Sequence, residues 1–425
     1  MEYSDNGVLV IGYGLSGKAV AKKVIAQGRK AYIYDQKSGY LTESEIKELI
    51  SGNKISLAVI SPGVPLDIEL VGFLKSHGIN VISELEYGAS FLSCDIVAVT
   101  GTNGKTTTVT LLSKMLKEEG KESALCGNIG FPITAIKQKS DFVAVVECSS
   151  FQLEGISGFK PKIAAILNLS PDHLDRHKTK ESYFMAKKRI YENQDEKDFL
   201  VLPDGLKNEC GGRSKRYYFS QTEKTNGAHL EKNNIVFGNG DYITGLSNLK
   251  IVGRHNVDNV LAAVTMAKLL KVQNTYIERA ISSFYGVPHR IAFVKEIDKV
   301  RYYNDSKGTN VSSTLVAIEA MQGDTVLILG GKEKGVDYDE LFSSDMSKIK
   351  AVVVFGENAD RVLESAERCG YKAIWRANSL KECVLLSRYL IKSGNVLLSP
   401  ATSSFDMFSS YEERGERFEE IVRSL

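Results

Sequence analysis

The stretch Ile96-Val-Ala-Val-Thr-Gly-Thr-Asn-Gly-Lys-Thr-Thr-Thr108 decides how the rest of the chain is read. A short apolar strand runs into a Gly/Thr/Asn loop that ends in Lys105-Thr106, and a helix-forming segment follows. That order lets a loop wrap phosphates. Gly101 and Gly104 permit close backbone approach, and amides gather at the N-terminus of the next helix. Lys105 can then reach terminal phosphates, and the Thr106 hydroxyl can ligate Mg²⁺. Position 99 is Val where the strict phosphate-loop pattern has Gly, so the spacing departs from that pattern. The expected nucleotide contacts are Gly101, Thr102, Asn103, Gly104, Lys105, Thr106 and Thr107.

Working outward, 425 residues are too many for one ordinary core and predict two or three domains. With 43% hydrophobic and 25% charged residues, the composition is that of a globular protein. Lys+Arg (54) and Asp+Glu (52) nearly balance, which removes the electrostatic case for a nucleic-acid partner. A local basic run such as Ala186-Lys-Lys-Arg189 reads as a solvated helix face. The six cysteines form no Cys-x-x-Cys pair and read as reduced thiols in apolar surroundings. No run of about 18 apolar residues and no charged-then-apolar leader stands out. The expectation is a cytoplasmic protein without membrane insertion.

Three segments alternate strands and helices, and the expected fold class is α/β with three consecutive α/β domains. The first, residues 1–92, is Rossmann-like. Val8-Leu-Val-Ile-Gly-Tyr-Gly-Leu-Ser-Gly17, a helix, and strand Ala31–Tyr34 ending at Asp35 form a Gly12-x-Gly14-x-x-Gly17 fingerprint. Read alone this suggests NAD; physically it says that a diphosphate and a sugar could rest on a helix N-terminus. Strand Leu57–Ile60 ends at Ser61-Pro-Gly63, another edge of the same crevice. The second segment, 93–286, is phosphate-loop ATPase-like, with strands Phe142–Val146 and Ile163–Leu167. Its stretch from Lys197 to Leu249 reads as a small antiparallel excursion, and helical periodicity returns at Asn256–Ala263. The third, 287–425, is again Rossmann-like. Its strands Thr325–Leu329, Ala351–Phe355 and Val396–Leu398 end at Gly330-Gly331, Gly356-Glu357 and Ser399-Pro400, which makes those loops candidate site walls.

Chemistry concentrates at strand exits. Glu147 ends a strand beside the loop, where a Mg²⁺ ligand belongs. The exit Asn168-Leu-Ser-Pro-Asp-His-Leu-Asp-Arg-His177 offers His173 to the site, with His177 read as structural. The helix Glu181–Glu192 brings Lys187 or Lys188 near that loop, and composition does not rank the two.

Gly-Thr-Asn-Gly-Lys-Thr-Thr, Glu147 with Ser-Ser-Phe-Gln-Leu-Glu, Asn-Leu-Ser-Pro-Asp-His-Leu-Asp-Arg-His, Ala-Lys-x-Arg-Ile and Gly-Arg-His-Asn-x-x-Asn occur in that order. Together they resemble the ATP-dependent Mur ligases, which join an amino acid to a UDP-linked muramyl precursor. Tyr303-Asn-Asp-Ser-Lys-Gly-Thr-Asn310, Leu329-Gly-Gly-Lys332 and Leu398-Ser-Pro-Ala-Thr-Ser-Ser-Phe-Asp-Met-Phe408 look like the branch that adds D-glutamate to UDP-N-acetylmuramoyl-L-alanine. The resemblance implies ATP and two Mg²⁺ ions, a cytoplasmic monomer, and an alternative in which another amino acid is added. Lys105 and Thr106 would bind the phosphates and first Mg²⁺, which Glu147 completes. His173 would help hold the second ion, as would Lys187 once carbamylated, since carbamylation turns a cation into an anionic oxygen donor. Asn128 would contact the precursor or phosphate. Asn256 and Asn259 would face adenine, with Arg290 and Asp305 on the phosphate and ribose side. Lys307, Thr309, Lys332 or Lys334, Ser404, Phe405 and Tyr411 would surround D-glutamate. Leu15, Ser16, Asp35, Gln36 and Ser61 would bind UDP. Three positions depart from the family: Gly308 stands where Ala is commoner, Lys188 lies beside Lys187, and Tyr411 replaces a usual Phe.

The implied reaction activates the L-alanyl carboxylate as an acyl phosphate, which the D-glutamate amine then attacks, with His173 or a nearby carboxylate taking the amine's proton. Domain closure would assemble the three segments. Two rivals come from other classes. An NAD-dependent oxidoreductase would use the first fingerprint and leave the other segments idle. A nucleotide-gated binding protein would hydrolyse ATP without needing an acceptor pair.

Overall fold

The computed structural model describes residues 6–36, 39–137, 142–170, 174–251 and 253–425. Two compact bodies result: residues 1–249 with 257–282, and residues 250–256 with 283–425. In the first, strands β1 (Gly7–Ile11), β2 (Ala31–Tyr34), β3 (Ile55–Ile60) and β4 (Asn80–Ser83) pair in the order β2-β1-β3-β4, all parallel. β1 is buried along its whole length, as an unbroken apolar strand must be when both faces of its sheet are covered. The order reverses between β1 and β3, so the Gly12 and Ser61 loops flank a crevice at the carboxyl ends.

The larger sheet of this body comprises β5 (Asp95–Thr100), β6 (Glu122–Gly127), β7 (Phe142–Glu147), β8 (Ile163–Ile166), β9 (Phe199–Pro203) and β10 (Lys215–Phe219). Its order is β10-β9-β8-β5-β7-β6, again parallel. β5 lies between β8 and β7, so the loops after 100, 147 and 166 emerge side by side. The antiparallel excursion expected over 197–249 is smaller than the sequence suggests. β9 and β10 extend the parallel sheet, and only β11 (Ala228–Glu231), β12 (Asn234–Phe237) and β13 (Asp241–Gly245) form an antiparallel sheet.

The second body holds β14 (Ala292–Ile297), β15 (Val300–Asn304), β16 (Thr325–Gly330), β17 (Ile349–Phe355), β18 (Ile374–Arg376) and β19 (Gly394–Leu398). They pair as β14-β15-β19-β16-β17-β18, parallel apart from the β14–β15 hairpin. The α/β class expected from the sequence is what the chain forms. All six cysteines are free, and four of them are buried. Among the described residues no helix is long and apolar enough to cross a membrane.

Within the first body, one buried carboxylate ties the two parallel sheets. Glu86, on the helix Glu84–Ala89 that follows β4, accepts backbone N–H bonds from Ser157 (2.9 Å), Gly158 (2.9 Å) and Phe159 (2.8 Å). These three residues lead into β8, so the bonds join one sheet's exit helix to the other sheet's entry loop. An anion that replaces its hydration with three fixed amides is costly to remove, because the amides are then left buried and unpaired. Glu86→Ala is expected to destabilise the protein by about 2–3 kcal/mol, read as a lower urea midpoint, with Glu86→Gln intermediate. An unchanged midpoint for the alanine variant would show that the tie carries no stability.

Candidate active site

The Gly-rich loop leaves β5 with Gly101 at φ +150° and closes onto the helix Lys105–Glu118 with Gly104 at φ +82°. Only glycine is comfortable at Gly104 for a second reason. A Cβ there would fall 2.0 Å from Asn259 Oδ1. Asn259, on the helix Arg254–Leu269, therefore lies directly against the loop. The loop is held from below by the exit of β8. Asn103 N donates to Asn168 Oδ1 (2.9 Å) and Asn168 Nδ2 donates to Asn103 O (3.1 Å), while Thr102 Oγ1 donates to Ser170 O (2.9 Å).

Two lysines converge on one oxygen. Lys105 Nζ donates to Gly101 O (2.8 Å) and Thr102 O (2.9 Å), and Lys187 Nζ donates to the same Gly101 O (2.9 Å). Lys187 is only 2% exposed and sits 4.5 Å from the Tyr183 ring centroid. Lys188 points elsewhere, its Nζ donating to Glu209 O (2.8 Å), so the structure brings Lys187 and not its neighbour to the loop. The helix itself, Lys180–Lys188, stops at a 3₁₀ turn because Arg189 turns back to cap another helix, donating to Leu153 O (3.0 Å) and Ile156 O (2.6 Å).

Beside the loop, Thr106 Oγ1 donates to Glu147 Oε2 (2.8 Å) and Asn128 Nδ2 donates to Glu147 Oε1 (2.9 Å). Glu147 is thus a buried carboxylate with both oxygens fixed at the mouth of the sheet. The hydroxyl and carboxylate are hard oxygen donors, the kind Mg²⁺ takes, and a set this small suits an ion that keeps phosphate and water as its other ligands. Thr107 is buried one place further along the helix. His173 lies outside the described residues. His177 is buried in packing contacts: its Nε2 lies 2.9 Å from Ser150 Oγ, its Nδ1 lies 3.2 Å from Glu154 Oε1, and its ring stacks on Phe151.

At the β1–β3 crevice, Ser61 Oγ donates to Gly12 O (2.8 Å) and Asp35 Oδ2 accepts from Tyr13 N (2.6 Å). Leu15 is 79% exposed at the first turn of the helix Leu15–Ala26, whose N-terminus has no side-chain cap. Ser16 is half-buried and Gln36 exposed. A helix start without a side-chain cap among the described residues suits a diphosphate.

In the second body the loops after β15, β16, β17 and β19 meet. Asp305 is buried, accepting from Ile291 N (3.1 Å) and Ser399 Oγ (2.6 Å). Burial pushes its carboxyl up to about 7, against the lowering effects of Ser399, Arg290, Ile291 and Arg414. Gly308 closes over it so tightly that a Cβ would lie 2.4 Å from Asp305 Oδ2. Lys307 Nζ stands 5.6 Å from the Tyr411 ring, and Thr309 is half-buried one turn on. Lys332 pairs with Glu357 (2.7 and 2.9 Å), whereas Lys334 is exposed. Ser404 is buried with its Oγ lacking a hydrogen-bond partner, and the neighbouring Phe405 is 67% exposed. Asn256 groups with this body and Asn259 with the first.

Residues 99–267 match the Mur ligase middle domain, and residues 289–401 the Mur ligase, glutamate ligase domain. The chain is 40% identical to the UDP-N-acetylmuramoylalanine–D-glutamate ligase of Pelotomaculum thermopropionicum, over all of this chain and 99% of the relative. It is 39% identical to that of Thermoanaerobacter pseudethanolicus over the whole of both. The chain belongs to the Mur ligase family. Solved Mur ligases share the fold: the UDP-N-acetylmuramate-alanine ligase MurC of Thermotoga maritima superposes with a TM-score of 0.61 at 19% identity, covering 98% of this chain and 99% of that one. The MurF ligase of the same organism, solved with ADP, gives 0.60 at 17% identity over 100% and 96%. Family membership makes this Mur ligase an ATP-dependent ligase and removes the oxidoreductase reading of the first fingerprint.

Three residues that brace these loops escaped the sequence reading. Asn168 and Arg176 sit in the quoted strand-exit motif but contact partners far away in sequence. Arg414, fully buried, donates to Ser306 Oγ (2.9 Å), Ser306 O (2.8 Å) and Thr402 O (3.1 Å), and burial lowers its pKa to about 10. Only the unexpected burial of an arginine reveals it, and burial is not written in the local sequence.

Two outcomes follow from this geometry. Gly104→Ala combines left-handed strain of about 1–3 kcal/mol with a clash on Asn259. ADP affinity by calorimetry should therefore fall roughly tenfold or more, and wild-type affinity in that variant would refute the close packing. Asp305 binds its proton more tightly folded than unfolded, so its contribution is full only below the ordinary aspartate range, near pH 3, and is lost as pH rises through about 7. Asp305→Asn should flatten that decline, whose steepest slope is about 1.4 kcal/mol per pH unit, in urea melts across pH 4–8.

Proposed function

We propose that this Mur ligase joins D-glutamate to the L-alanyl carboxyl of UDP-N-acetylmuramoyl-L-alanine, converting ATP to ADP and phosphate. The observation that carries the reading is the full-length likeness to D-glutamate ligases at 36–40% identity. The loop geometry supports the ATP-dependent half of the reaction. Amide formation from a carboxylate is uphill in water, so the acid must be activated first. The L-alanyl carboxylate attacks the γ-phosphorus and ADP leaves; the D-glutamate amine attacks the resulting acyl phosphate, and phosphate leaves in turn.

This chain's residues bind and orient those groups. Lys105 exchanges loop carbonyls for phosphate oxygens, and the amides at the helix start receive the phosphate charge. Thr106 and Glu147 would hold the first Mg²⁺, and His173 with Lys187 the second; bound there, the ions would neutralise negative charge on the phosphate oxygens. Asn128 keeps Glu147 turned towards Thr106. Lys187 would serve as a ligand once its neutral amine had added to CO₂ and lost a proton to give a carbamate; its burial beside the loop favours it over Lys188. Asn256, Asn259, Arg290 and Asp305 bind ATP. UDP lies on Leu15, Ser16, Asp35, Gln36 and Ser61, and D-glutamate lies among Lys307, Thr309, Lys332 or Lys334, Ser404, Phe405 and Tyr411. Segments 1–92, 93–286 and 287–425 divide the work as precursor, ATP and amino-acid domains, in a cytoplasmic monomer without nucleic-acid partners.

The test is phosphate release with ATP, Mg²⁺ and UDP-N-acetylmuramoyl-L-alanine across a panel of amino acids. Release only with D-glutamate is expected, falling by at least about a thousandfold in Lys105→Ala. Release with another amino acid would keep the family and discard the substrate; release without any acceptor would favour a simple ATP-gated protein.

A further inference from the structure

Arg176 occupies a place that none of the assigned roles uses. It lies on the short helix Leu174–His177, directly after the position of His173 in sequence. Its guanidinium reaches across to the other sheet of the same body. Nη1 donates to Pro62 O (3.0 Å), Nη2 donates to Val64 O (3.3 Å) and Glu154 Oε2 (3.4 Å), and the plane covers the Phe151 ring at 3.9 Å. Pro62 and Val64 belong to the turn that Ser61 opens.

That turn is a wall of the Gly-rich crevice. Ser61 N donates to Ile11 O (2.9 Å), Ser61 Oγ donates to Gly12 O (2.8 Å), and Val64 Cγ2 would stand 2.8 Å from a Cβ on Gly12. At the other end, the helix carrying Arg176 is fastened by His177 to Ser150 and Glu154. A planar fork that spans two carbonyls and stacks on a ring is fixed in orientation as well as position, which a lysine at the same place would not be.

We propose that Arg176 is a positioning residue for the nucleotide-precursor site, fixing the Ser61 turn against the Gly12 loop from the far side and joining it to the helix Leu174–His177. It acts through Ser61, Pro62 and Val64 and does not touch the precursor. The proposal rests on the reading of that crevice as the UDP site. Its consequence is a selective one. Loosening the turn weakens precursor binding, while the ATP loop, held independently by Asn168 and Ser170, keeps its shape.

Arg176→Met and Arg176→Lys in the full chain test it, with calorimetric titration of UDP-N-acetylmuramoyl-L-alanine and, separately, of ADP. The methionine retains an apolar stem on Phe151 and loses both carbonyl bonds. Precursor affinity is expected to fall about tenfold or more with ADP affinity unchanged within about twofold, and lysine should recover part of the loss. Unchanged precursor affinity, or equal weakening of both ligands, would overturn the proposal. Thermal melts of the same variants separate the second outcome from plain unfolding. Failure of the wild-type chain to bind the precursor at all would sink the UDP reading itself, a result distinct from any difference among variants.

Discussion

The carbonyl oxygen of Gly101 accepts from both Lys105 Nζ (2.8 Å) and Lys187 Nζ (2.9 Å). Gly101 stands at φ +150°, a backbone that L side chains rarely adopt, so the loop that presents this carbonyl to both lysines depends on glycine at that position. Much of the surrounding structure serves that small region. Asn168 and Ser170 fix the loop, Asn259 presses on Gly104, and Asn128 and Thr106 immobilise the neighbouring carboxylate.

The first body treats its two parallel sheets as one support for chemistry at their adjacent edges. Glu86 gathers three amides from the approach to β8, and Arg176 gathers two carbonyls from the exit of β3. One tie is an anion among N–H groups and the other a cation among carbonyls. Each relies on main-chain partners, whose positions the sheets already determine. Main-chain partners cannot rotate away, so such bonds transmit position better than pairs of flexible charged side chains on the surface.

Local information made most of the architecture readable. Apolar runs such as Val8–Ile11 and Ile163–Leu167, followed by Gly12 and Asn168, name both the strand and the loop that follows it. The loops hold the site, so Lys105, Thr106 and Glu147 could be picked out before any coordinates. What stayed hidden depends on distance along the chain. Arg414 meets Ser306 from 108 positions away, and Arg176 meets Pro62 from 114. The choice between Lys187 and Lys188 turns on the phase of one helix, which Thr179 sets by capping the amide of Ser182. The membership of β9 and β10 is hidden because their Gly- and Asn-rich surroundings look like hairpin country, while β9 pairs with β8 from more than thirty residues away and β10 joins the sheet only through β9.

The space around Gly308 decides what any larger residue there would entail. A methyl group there would meet Asp305 Oδ2 at 2.4 Å, Ser399 Oγ at 2.7 Å and Asp305 O at 3.0 Å. An alanine at 308 therefore requires the aspartate or the serine to move aside. Positions 305, 308 and 399 are coupled through that shared space, so the effects of changing them do not add.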